Sequence, residues 1–450
     1  MLSASDKRLR QQAGAIFSAG IAAVDPTAAV CRSLRREGTK LYFANRTYAL
    51  NDYRHFYVIG AGKAAAAMAL GVEQAMGPYL TAGVVVTKDG HGLPLQRIKV
   101  LEAGHPLPDA RGEAAAGEIL QIAEQAKADD LVLCLISGGG SALLPMPGAG
   151  LTLDDERRVT DLLLASGATI EEMNVVRKHL SSIKGGQLAR AVFPANLLTL
   201  VLSDVVGDPL DIIASGPTVP DPSTFREAKR ILMMTGVWAK APQVVRAHID
   251  MGCAGTIAEN PKPGDGVFVH LQTEIIGSNA TALEAAERHA HRLGYHTLVL
   301  SSRVQGEARD IGRFYAAMAH EIVHRERPVE TPACLLGGGE TTVTLRSNMG
   351  KGGRNQEMAL SVAIDIDGLP GCLFLAAGTD GTDGPTHAAG AFADGKTIAR
   401  ARTGGLQHPT AFLRDNDSHS FFRTVDDLFV TGPTRTNVMD MHILLVGNFT

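Results

Sequence analysis

The stretch LVLCLISGGGSALL, residues 131–144, decides how this chain folds. Its first part, from Leu131 to Ile136, is an unbroken run of apolar residues. A short apolar run of this kind is typical of a strand that is buried on both faces, as in a parallel sheet covered by helices. The stretch therefore predicts an inner strand of an α/β sheet.

The residues that follow this strand predict a phosphate-binding turn. Ser137 ends the strand, and Gly138, Gly139 and Gly140 come next. Consecutive glycines leave bare backbone N–H groups that can curl around an oxyanion, and a helix start beyond them favours negative charge. We predict Ser141 to be the N-cap of that helix. A tight turn that binds no ligand is the alternative.

The chain contains this pattern a second time. Residues 333–340, ACLLGGGE, are again a short apolar run that leads into three glycines. The repetition favours the phosphate interpretation, and we add Gly338 and Gly339 to the predicted phosphate-binding groups.

Length and composition limit the classes of protein to consider. With 450 residues the chain is too long for one ordinary core, so we expect two or three domains. A net charge of −4 argues against nucleic acid as a partner. The five cysteines include no CxxC pair, which argues against a zinc site. No apolar stretch reaches the roughly 18 residues of a membrane span, and we expect a cytoplasmic protein.

Predicted strands alternate with predicted helices along the chain. This alternation predicts a mostly parallel, doubly wound α/β sheet. We place an N-terminal domain at residues 1–250, a Gly- and Pro-rich linker at 251–266 and a C-terminal domain at 267–450. Residues 5–37 are predicted to be helical with one break, and residues 341–345 to form a strand.

Three basic residues stand in settings that suit anions. Lys63 follows Gly60 and Gly62 in the first turn of a predicted helix, where a cation is unfavourable unless an anion lies beside it. Arg354 stands between glycines and a helix start, and its planar fork suits phosphate or carboxylate. Lys184 precedes another glycine pair, although a solvated helix surface explains it equally well.

Several carboxylates follow predicted strands, where ligands bind in open α/β sheets. Such loops suit Mg²⁺, which takes one or two carboxylates together with phosphate oxygens. Each residue alone could instead form a turn. As a set they predict a metal–nucleotide site; the residues are Asp204, Asp208, Glu340, Asp380 and Asp383.

Other enzyme motifs are absent or incomplete. The chain contains no G-x-x-x-x-G-K-[ST] and none of the protein-kinase motifs. Residues 60–65 match the dinucleotide fingerprint G-x-G-x-x-A, but the acidic residue expected about 20 positions later would have to be Asp89, in a loop of its own. We expect structural or solvent roles for His105, His179 and His387.

Eight ordered motifs together resemble glycerate 2-kinases of the type that has a C-terminal MOFRL domain. They run over nearly the whole chain and are VIGAGKAAAAMA (58–69), LISGGGSALLP (135–145), NVVRKHLSSIKGGQLA (174–189), LSDVVGDPLDIIASGPTVPDPST (202–224), GGGETTVTL (337–345), GKGGRNQEMAL (350–360), GTDGTDGP (378–385) and TGPTRTNVMD (431–440).

The resemblance implies a Rossmann-like N-terminal α/β/α domain, a smaller C-terminal α/β domain with its MOFRL region at about 331–446, and a cleft between them. It implies phosphorylation of D-glycerate to 2-phosphoglycerate with ATP and Mg²⁺. The family's catalytic lysine falls on Lys63 and its catalytic arginine on Arg354. We expect glycine loops and Mg²⁺ to hold ATP, and Asp204 to be the base for the 2-hydroxyl. A homodimer is compatible with this interpretation.

The chain departs from the family in one motif. Members commonly carry GPTDAAGA where residues 384–391 read GPTHAAGA, so we leave His387 out of the predicted metal site. Some relatives carry the label hydroxypyruvate reductase, which makes an NAD(P)H-dependent reductase of tartrate and glyoxylate metabolism the second hypothesis. A non-catalytic sugar-acid or nucleotide-binding module is the third, and it would not need so many carboxylate loops.

The two catalytic assignments lead to a kinetic prediction. Lys63→Ala and Arg354→Ala should each lower turnover by orders of magnitude, since charge-stabilising groups typically contribute ~10²–10³ each. A surface cation is worth little to stability, so melting temperatures should hardly change. If both act on one transition state, the double variant is far less than multiplicatively worse. Steady-state kinetics would contradict this if Lys63→Ala kept near-normal turnover or if the two losses multiplied fully.

Overall fold

The computed structural model describes residues 3–346 and 349–447 and divides them into two compact units. We call residues 26–276 the central unit. The split unit consists of the chain before residue 26 and the chain from residue 277 onward. Each unit has its own six-stranded sheet.

The central unit is built around the strand Asp130–Ser137, which contains the apolar run of residues 131–136. Its sheet has the order β6-β5-β4-β7-β8-β9, and the pairings from β6 to β8 are all parallel. This is the doubly wound order in which the chain starts in the middle and builds outward in both directions. The strands are β4 (His55–Ala61), β5 (Ala82–Lys88), β6 (Ile98–Ala103), β7 (Asp130–Ser137), β8 (Asn196–Leu202) and β9 (Leu271–Gly277).

Every residue of β7 is buried, as its apolar run predicts. Helices supply the covering layers, and α4 is typical: Asp109 caps it and a row of alanines and isoleucines faces the sheet. The helices of this unit are α2 (Pro26–Ser33), α3 (Ala65–Met76), α4 (Ala110–Gln125), α5 (Gly140–Leu143), α6 (Leu153–Ala165), α7 (Ile170–His179), α8 (Gln187–Val192), α9 (Phe225–Met234) and α10 (Gln243–Cys253).

The split unit has a mixed sheet of order β10-β11-β15-β12-β13-β14. Only β10 and β11 are paired in parallel; β15 runs antiparallel to both β11 and β12. All seven residues of β15 are buried, so this last strand forms the centre of the sheet. The strands are β10 (His296–Val304), β11 (Ala333–Gly339), β12 (Cys372–Gly378), β13 (Gly390–Asp394), β14 (Leu428–Phe429) and β15 (Asp440–Val446).

The helices of the split unit include the first one of the chain. Its residues Arg10 and Gln12 bond to Asp394 and Tyr295 in the far part of the sequence. The helices are α1 (Ala4–Ala23), α11 (Asn279–Arg292), α12 (Ala308–Arg325), α13 (Arg354–Asp365), α14 (Thr397–Thr403), α15 (Pro409–Arg414) and α16 (Ser418–Val425). The division therefore differs from the predicted boundaries, because long-range side-chain contacts place α1 outside the central unit.

Three local predictions were wrong. Residues 35–37 form β1 instead of continuing a helix, and they pair antiparallel with β2 (Lys40–Phe43), which pairs with β3 (Arg46–Ala49). Residues 341–345 form no strand; only Thr342 makes an isolated bridge, to Glu307. Gly337–Gly339 are not a loop, because they lie inside β11 and pair with β15.

Among the residues that the structure describes, no single helix is both long enough and apolar enough to cross a bilayer. The bent pair α1 and α2 together has the length and composition of a span.

Candidate functional site

The central unit places two predicted loops side by side. The strand order reverses between β4 and β7, and these strands pair in parallel up to Ala61 and Ile136. Their carboxyl ends therefore meet at the point where open α/β sheets bind ligands. The Lys63 N–H donates to the Gly138 carbonyl at 2.9 Å, and the Ala64 N–H donates to Ser137 Oγ at 3.0 Å. These bonds join the two turns into one site.

Gly138 and Gly139 have no side chains, so polar side chains can pack directly against the backbone of this turn. A Cβ on Gly138 would lie 1.7 Å from Asp204 Oδ2, so the Asp204 carboxylate packs directly on this glycine. A Cβ on Gly139 would lie 2.8 Å from His105 Nε2 and 3.3 Å from Lys63 Cε. Gly139 also has a φ of +80°, which disfavours any other residue. The loop thus brings Lys63, Asp204 and His105 together.

The glycines before Lys63 divide into two roles. Gly62 has a φ of +139° in the turn and faces Ser137, so it belongs to the loop. Gly60 lies inside β4, where a Cβ would lie 2.4 Å from the Leu135 carbonyl oxygen. Gly60 therefore allows close strand packing and does not lie in the loop.

Ser141 is not the N-cap of the short helix. Gly139 takes that position with its left-handed backbone, because a residue in the first turn cannot also precede the helix. The Ser141 hydroxyl instead lies 2.9 Å from Ser215 Oγ, which donates to Asn174 Oδ1 at 3.0 Å. Sequence reasoning did not select Ser215 or Asn174, although both stand in the quoted motifs.

The charge at this loop comes from Lys63. Among the ion pairs of the described chain none involves Lys63. Burial, together with the nearby charges of Lys63, Lys88 and His91, lowers the pKa of His105 to about 4. His105 is therefore a neutral neighbour at physiological pH, and it leaves the lysine as the cation.

Two further predicted residues of the central unit, Lys184 and Asp208, have buried polar atoms. Lys184 is only 5% exposed, and its ammonium donates to the Leu144 carbonyl at 3.4 Å. Burial lowers the pKa of this lysine. Asp208 follows β8 with a φ of +58°, and its Oδ1 is buried without a hydrogen-bond partner among the described residues.

The split unit holds the other predicted cation, Arg354, at the start of α13. Its Nε and Nη2 donate to the two oxygens of Asp440, the latter at 3.1 Å, and its Nη1 lies 2.9 Å from Glu340 Oε1. Two nitrogens on one carboxylate fix the plane of the guanidinium. The arginine is therefore oriented before any ligand arrives.

Asp440, which sequence reasoning missed, is the residue that holds Arg354. It is fully buried, and it also accepts from Asn355 Nδ2 at 2.9 Å. Burial raises its pKa to about 6, against the opposing Arg354 charge. Removing Arg354 would leave this carboxylate buried without a cation, so the expectation of an unchanged melting temperature does not hold for Arg354→Ala. The sequence offered one signal for Asp440, which is that it is the last residue of the motif at 431–440.

The predicted metal ligand Asp383 caps a helix in the structure. Its two oxygens accept the N–H groups of Asn355 and Gln356 at 3.0 and 2.9 Å and the side-chain amides of the same residues. A carboxylate at a helix N-terminus is favoured by the macrodipole. A Cβ on Gly353 would lie 2.3 Å from Asp383 Cγ, which explains the glycine before Arg354.

Asp380 lies in the turn after β12. Its Oδ1 accepts the N–H and hydroxyl of Thr382 at 2.9 and 3.0 Å. A Cβ on Gly378 would lie 3.3 Å from this oxygen and 3.6 Å from Asp440 Oδ1, so two carboxylates flank that glycine. Within residues 3–346 and 349–447, no group of three or more His, Cys, Asp or Glu side chains is arranged to hold a metal ion.

Gly338 and Gly339 have structural reasons for being glycines. A Cβ on Gly338 would lie 2.1 Å from Asn279 Oδ1, and one on Gly339 would lie 2.2 Å from the Val304 carbonyl oxygen. Their backbone pairs with Met441 and Asp440 in the sheet. The second glycine run therefore admits close packing within the sheet.

Comparison with known proteins identifies relatives over the whole chain. Residues 12–250 match a domain of unknown function, DUF4147, and residues 333–440 match the MOFRL family. A glycerate 2-kinase of Pyrococcus horikoshii is 44% identical over 95% of this chain and 94% of its own length. An Agrobacterium vitis protein with the provisional name hydroxypyruvate reductase is 43% identical over 98% and 96%. The crystal structure of a Thermotoga maritima glycerate kinase (EC 2.7.1.31) is 38% identical, with a TM-score of 0.88, covering 98% of this chain and all of that one.

Asp383 and Asp380 should respond differently to the same substitution. Asp383→Asn turns one acceptor oxygen into an N–H donor that faces other donors, so we expect a loss of about 1–3 kcal/mol in the free energy of unfolding. Asp380→Asn keeps an oxygen for Thr382 and should leave stability unchanged. Denaturant unfolding of both variants measures the contrast, and equal stabilities would contradict the capping role.

Proposed function

The chain belongs to the MOFRL family of glycerate kinases and is a phosphotransferase, and we propose that it transfers the terminal phosphoryl group of ATP to the 2-hydroxyl of D-glycerate, yielding 2-phosphoglycerate and ADP. The observation that carries the proposal is the site at the β4–β7 strand ends. There, one cation and one carboxylate pack against a glycine loop at the strand ends where open α/β sheets bind ligands.

In this proposal the glycine loop and Lys63 bind phosphate oxygens. The backbone of Lys63 is held on both sides, because its N–H donates to Gly138 and its carbonyl accepts from Thr87 Oγ1 at 3.2 Å. The side-chain ammonium is then the part of Lys63 that can neutralise the negative charge of the phosphoryl group during its transfer. Phosphoryl transfer depends mainly on such positioning and charge neutralisation.

Arg354 supplies the second cation. The Asp440 carboxylate holds Nε and Nη2, so the Nη1 edge, now beside the half-exposed Glu340, is the part that can meet an anion. A phosphate or the glycerate carboxylate would compete with Glu340 for that edge. A pre-oriented guanidinium loses little freedom on binding.

Asp204 is our proposed base for the 2-hydroxyl. Its carboxylate packs on Gly138 at the loop that carries Lys63. In the reaction the hydroxyl oxygen attacks the γ-phosphorus, the bond to the β-phosphate oxygen breaks, and Asp204 accepts the hydroxyl proton. ADP leaves with the bonding electron pair.

We propose that ATP arrives as its magnesium complex. Mg²⁺ needs only one or two carboxylates when phosphate oxygens and waters complete its shell. Asp380 and Asp208 are predicted donors with an oxygen to offer, since Thr382 bonds to Oδ1 of Asp380 and Asp208 Oδ1 has no hydrogen-bond partner among the described residues. Asp383 and Glu340 already bind protein donors, which makes them poorer ligands.

Hydroxypyruvate reduction is the competing function, because the Agrobacterium relative carries that name. The structure offers one observation against a dinucleotide. Asp89, the acidic residue needed for a ribose, forms a two-point ion pair with Arg111 at 2.7 and 2.9 Å. A cytoplasmic location and a homodimer stay predictions.

The reaction class can be tested directly. We expect ADP release from ATP that depends on both D-glycerate and Mg²⁺, with 2-phosphoglycerate as product by ³¹P NMR. NAD(P)H with hydroxypyruvate should give no change in absorbance at 340 nm. NAD(P)H oxidation without ATP turnover would replace the kinase by the reductase.

Asp440→Asn tests the proposed arginine position. The amide offers one acceptor where two were used, so Arg354 turns more freely and we expect kcat to fall by about tenfold to a hundredfold. Since the pKa of Asp440 is about 6, its hold on Arg354 is present above pH 6 and lost as the pH falls through 6.

The wild-type rate should therefore decline on an acidic limb near pH 6 that Asp440→Asn lacks. Thr403→Val is the control, because this exposed residue of α14 bonds to the Ala399 carbonyl within its own helix. If Asp440→Asn kept both the wild-type rate and the limb, Asp440 would have no role in orienting the arginine.

A further inference from the structure

The central unit contains a cavity that the proposed reaction has not used. It has a volume of about 590 Å³ and lies between the Gly139–Ser141 turn, residues 105–108 and helices α6 and α7. Small-molecule sites commonly measure about 300–1,000 Å³. A three-carbon acid would fill only a small part of this space, so the cavity suits a larger ligand.

The walls of the cavity are mostly apolar. Val159 and Leu163 come from α6, Val176 and Leu180 from α7 and its end, and Pro145 from the turn beyond the glycine loop. Leu107 and Leu164, 69% and 56% exposed, also line the cavity. Apolar side chains of this kind fit the flat ring of a nucleobase, while polar and charged side chains make up the rest of the lining.

The cavity lining also carries buried polar groups. Glu156 Oε1 is buried and has no hydrogen-bond partner among the described residues. Lys184 donates a long bond to Leu144, and the charges of Lys184 and Arg177 interact with the Glu156 carboxylate, which opposes the lowering of their pKa values by burial. A buried polar atom without a hydrogen bond costs free energy. Glu156 Oε1 therefore indicates a ligand with an N–H or O–H donor.

We propose that this cavity binds the nucleoside of the ATP co-substrate. The base lies between the apolar walls, and Glu156 Oε1 accepts a hydrogen bond from an amino or hydroxyl group of the nucleoside. This proposal rests on the proposed function, because it places one of the two substrates of that reaction.

The position of the cavity connects it to the reacting groups. Gly139 and Ser141 form part of its lining, and Gly139 is the residue against which Lys63 Cε packs. A nucleoside in the cavity would therefore send its phosphates across the glycine loop toward the Lys63 ammonium. Three cationic residues of the lining, Arg157, Arg177 and Lys184, outnumber the carboxylates Glu156 and Asp161, and this excess of positive charge favours a ligand that carries phosphate over a neutral one.

The experiment fills the cavity and measures binding without turnover. Thr160→Trp places a large ring in the cavity from α6, and Leu164→Trp does so from an exposed position. Arg158→Trp is the matched control, since this exposed residue of the same helix does not line the cavity. Calorimetry measures the Kd of Mg·ADP and of tripolyphosphate, and kinetics give the KM for D-glycerate.

We expect Thr160→Trp to weaken Mg·ADP at least tenfold and Leu164→Trp several-fold. Tripolyphosphate affinity and the KM for D-glycerate should change much less than the Mg·ADP affinity, because only the nucleoside lies between the apolar walls that the tryptophans fill. Arg158→Trp should match the wild type in all three measurements. If Thr160→Trp does not fold, Leu164→Trp decides the question.

Two outcomes overturn the proposal. Either folded cavity variants bind Mg·ADP as tightly as the control, or they raise the KM for D-glycerate instead, which would make this the hydroxy-acid site. A wild-type enzyme that shows no ATP-dependent phosphorylation would refute the proposed function separately. The calorimetry would then still report whether a nucleotide occupies the cavity.

Discussion

The parallel pairing of β4 with β7 is the constraint on which the central unit depends. Two strands that start in the middle of the sheet and lead to opposite sides leave a crevice at their carboxyl ends. The turns after both strands must then share that crevice, and the bond from Lys63 N–H to the Gly138 carbonyl shows how closely they fit. The cation and the glycine loop meet there because they follow β4 and β7, and the Asp204 carboxylate joins them from the end of the adjacent strand β8.

Glycine runs that look alike in sequence serve different purposes in the two units. Gly139 turns the chain with a positive φ, and because it has no side chain, His105 and Lys63 can pack against it. Gly338 lies within a strand, and its lack of a side chain leaves space for the Asn279 side chain. Both runs follow an apolar stretch, so local pattern cannot separate them. The partner strand β15, which comes a hundred residues later in the chain, decides the outcome.

Sequence patterns predicted those structural elements that are determined by residues close to each other in the chain. The burial of β7, the capped helix α4 and the start of α13 all follow from residues within a few positions. The capping role of Asp383 and the ion pair of Asp440 join residues that lie far apart in the chain, at separations of 27 and 86 positions. The assignment of α1 to the split unit has the same kind of cause, since Gln12 bonds to Tyr295. Long-range partners of charged and amide side chains leave no periodic signal in the sequence.

The two proposed catalytic cations are held in different ways, and the difference follows from their chemistry. Lys63 is a point charge on a flexible stem, so the protein fixes its backbone and leaves its side chain to reach a ligand. Arg354 has a planar fork, so a buried carboxylate can hold two nitrogens and still leave a third for an anion.

A lysine at position 354 could not satisfy Asp440 and a ligand in the same geometry. An arginine at position 63 would bring a wider group into the space beside Gly139, where Lys63 Cε already fills the gap that the missing side chain leaves. Each site therefore selects its own cation through the space and the counter-charge around it.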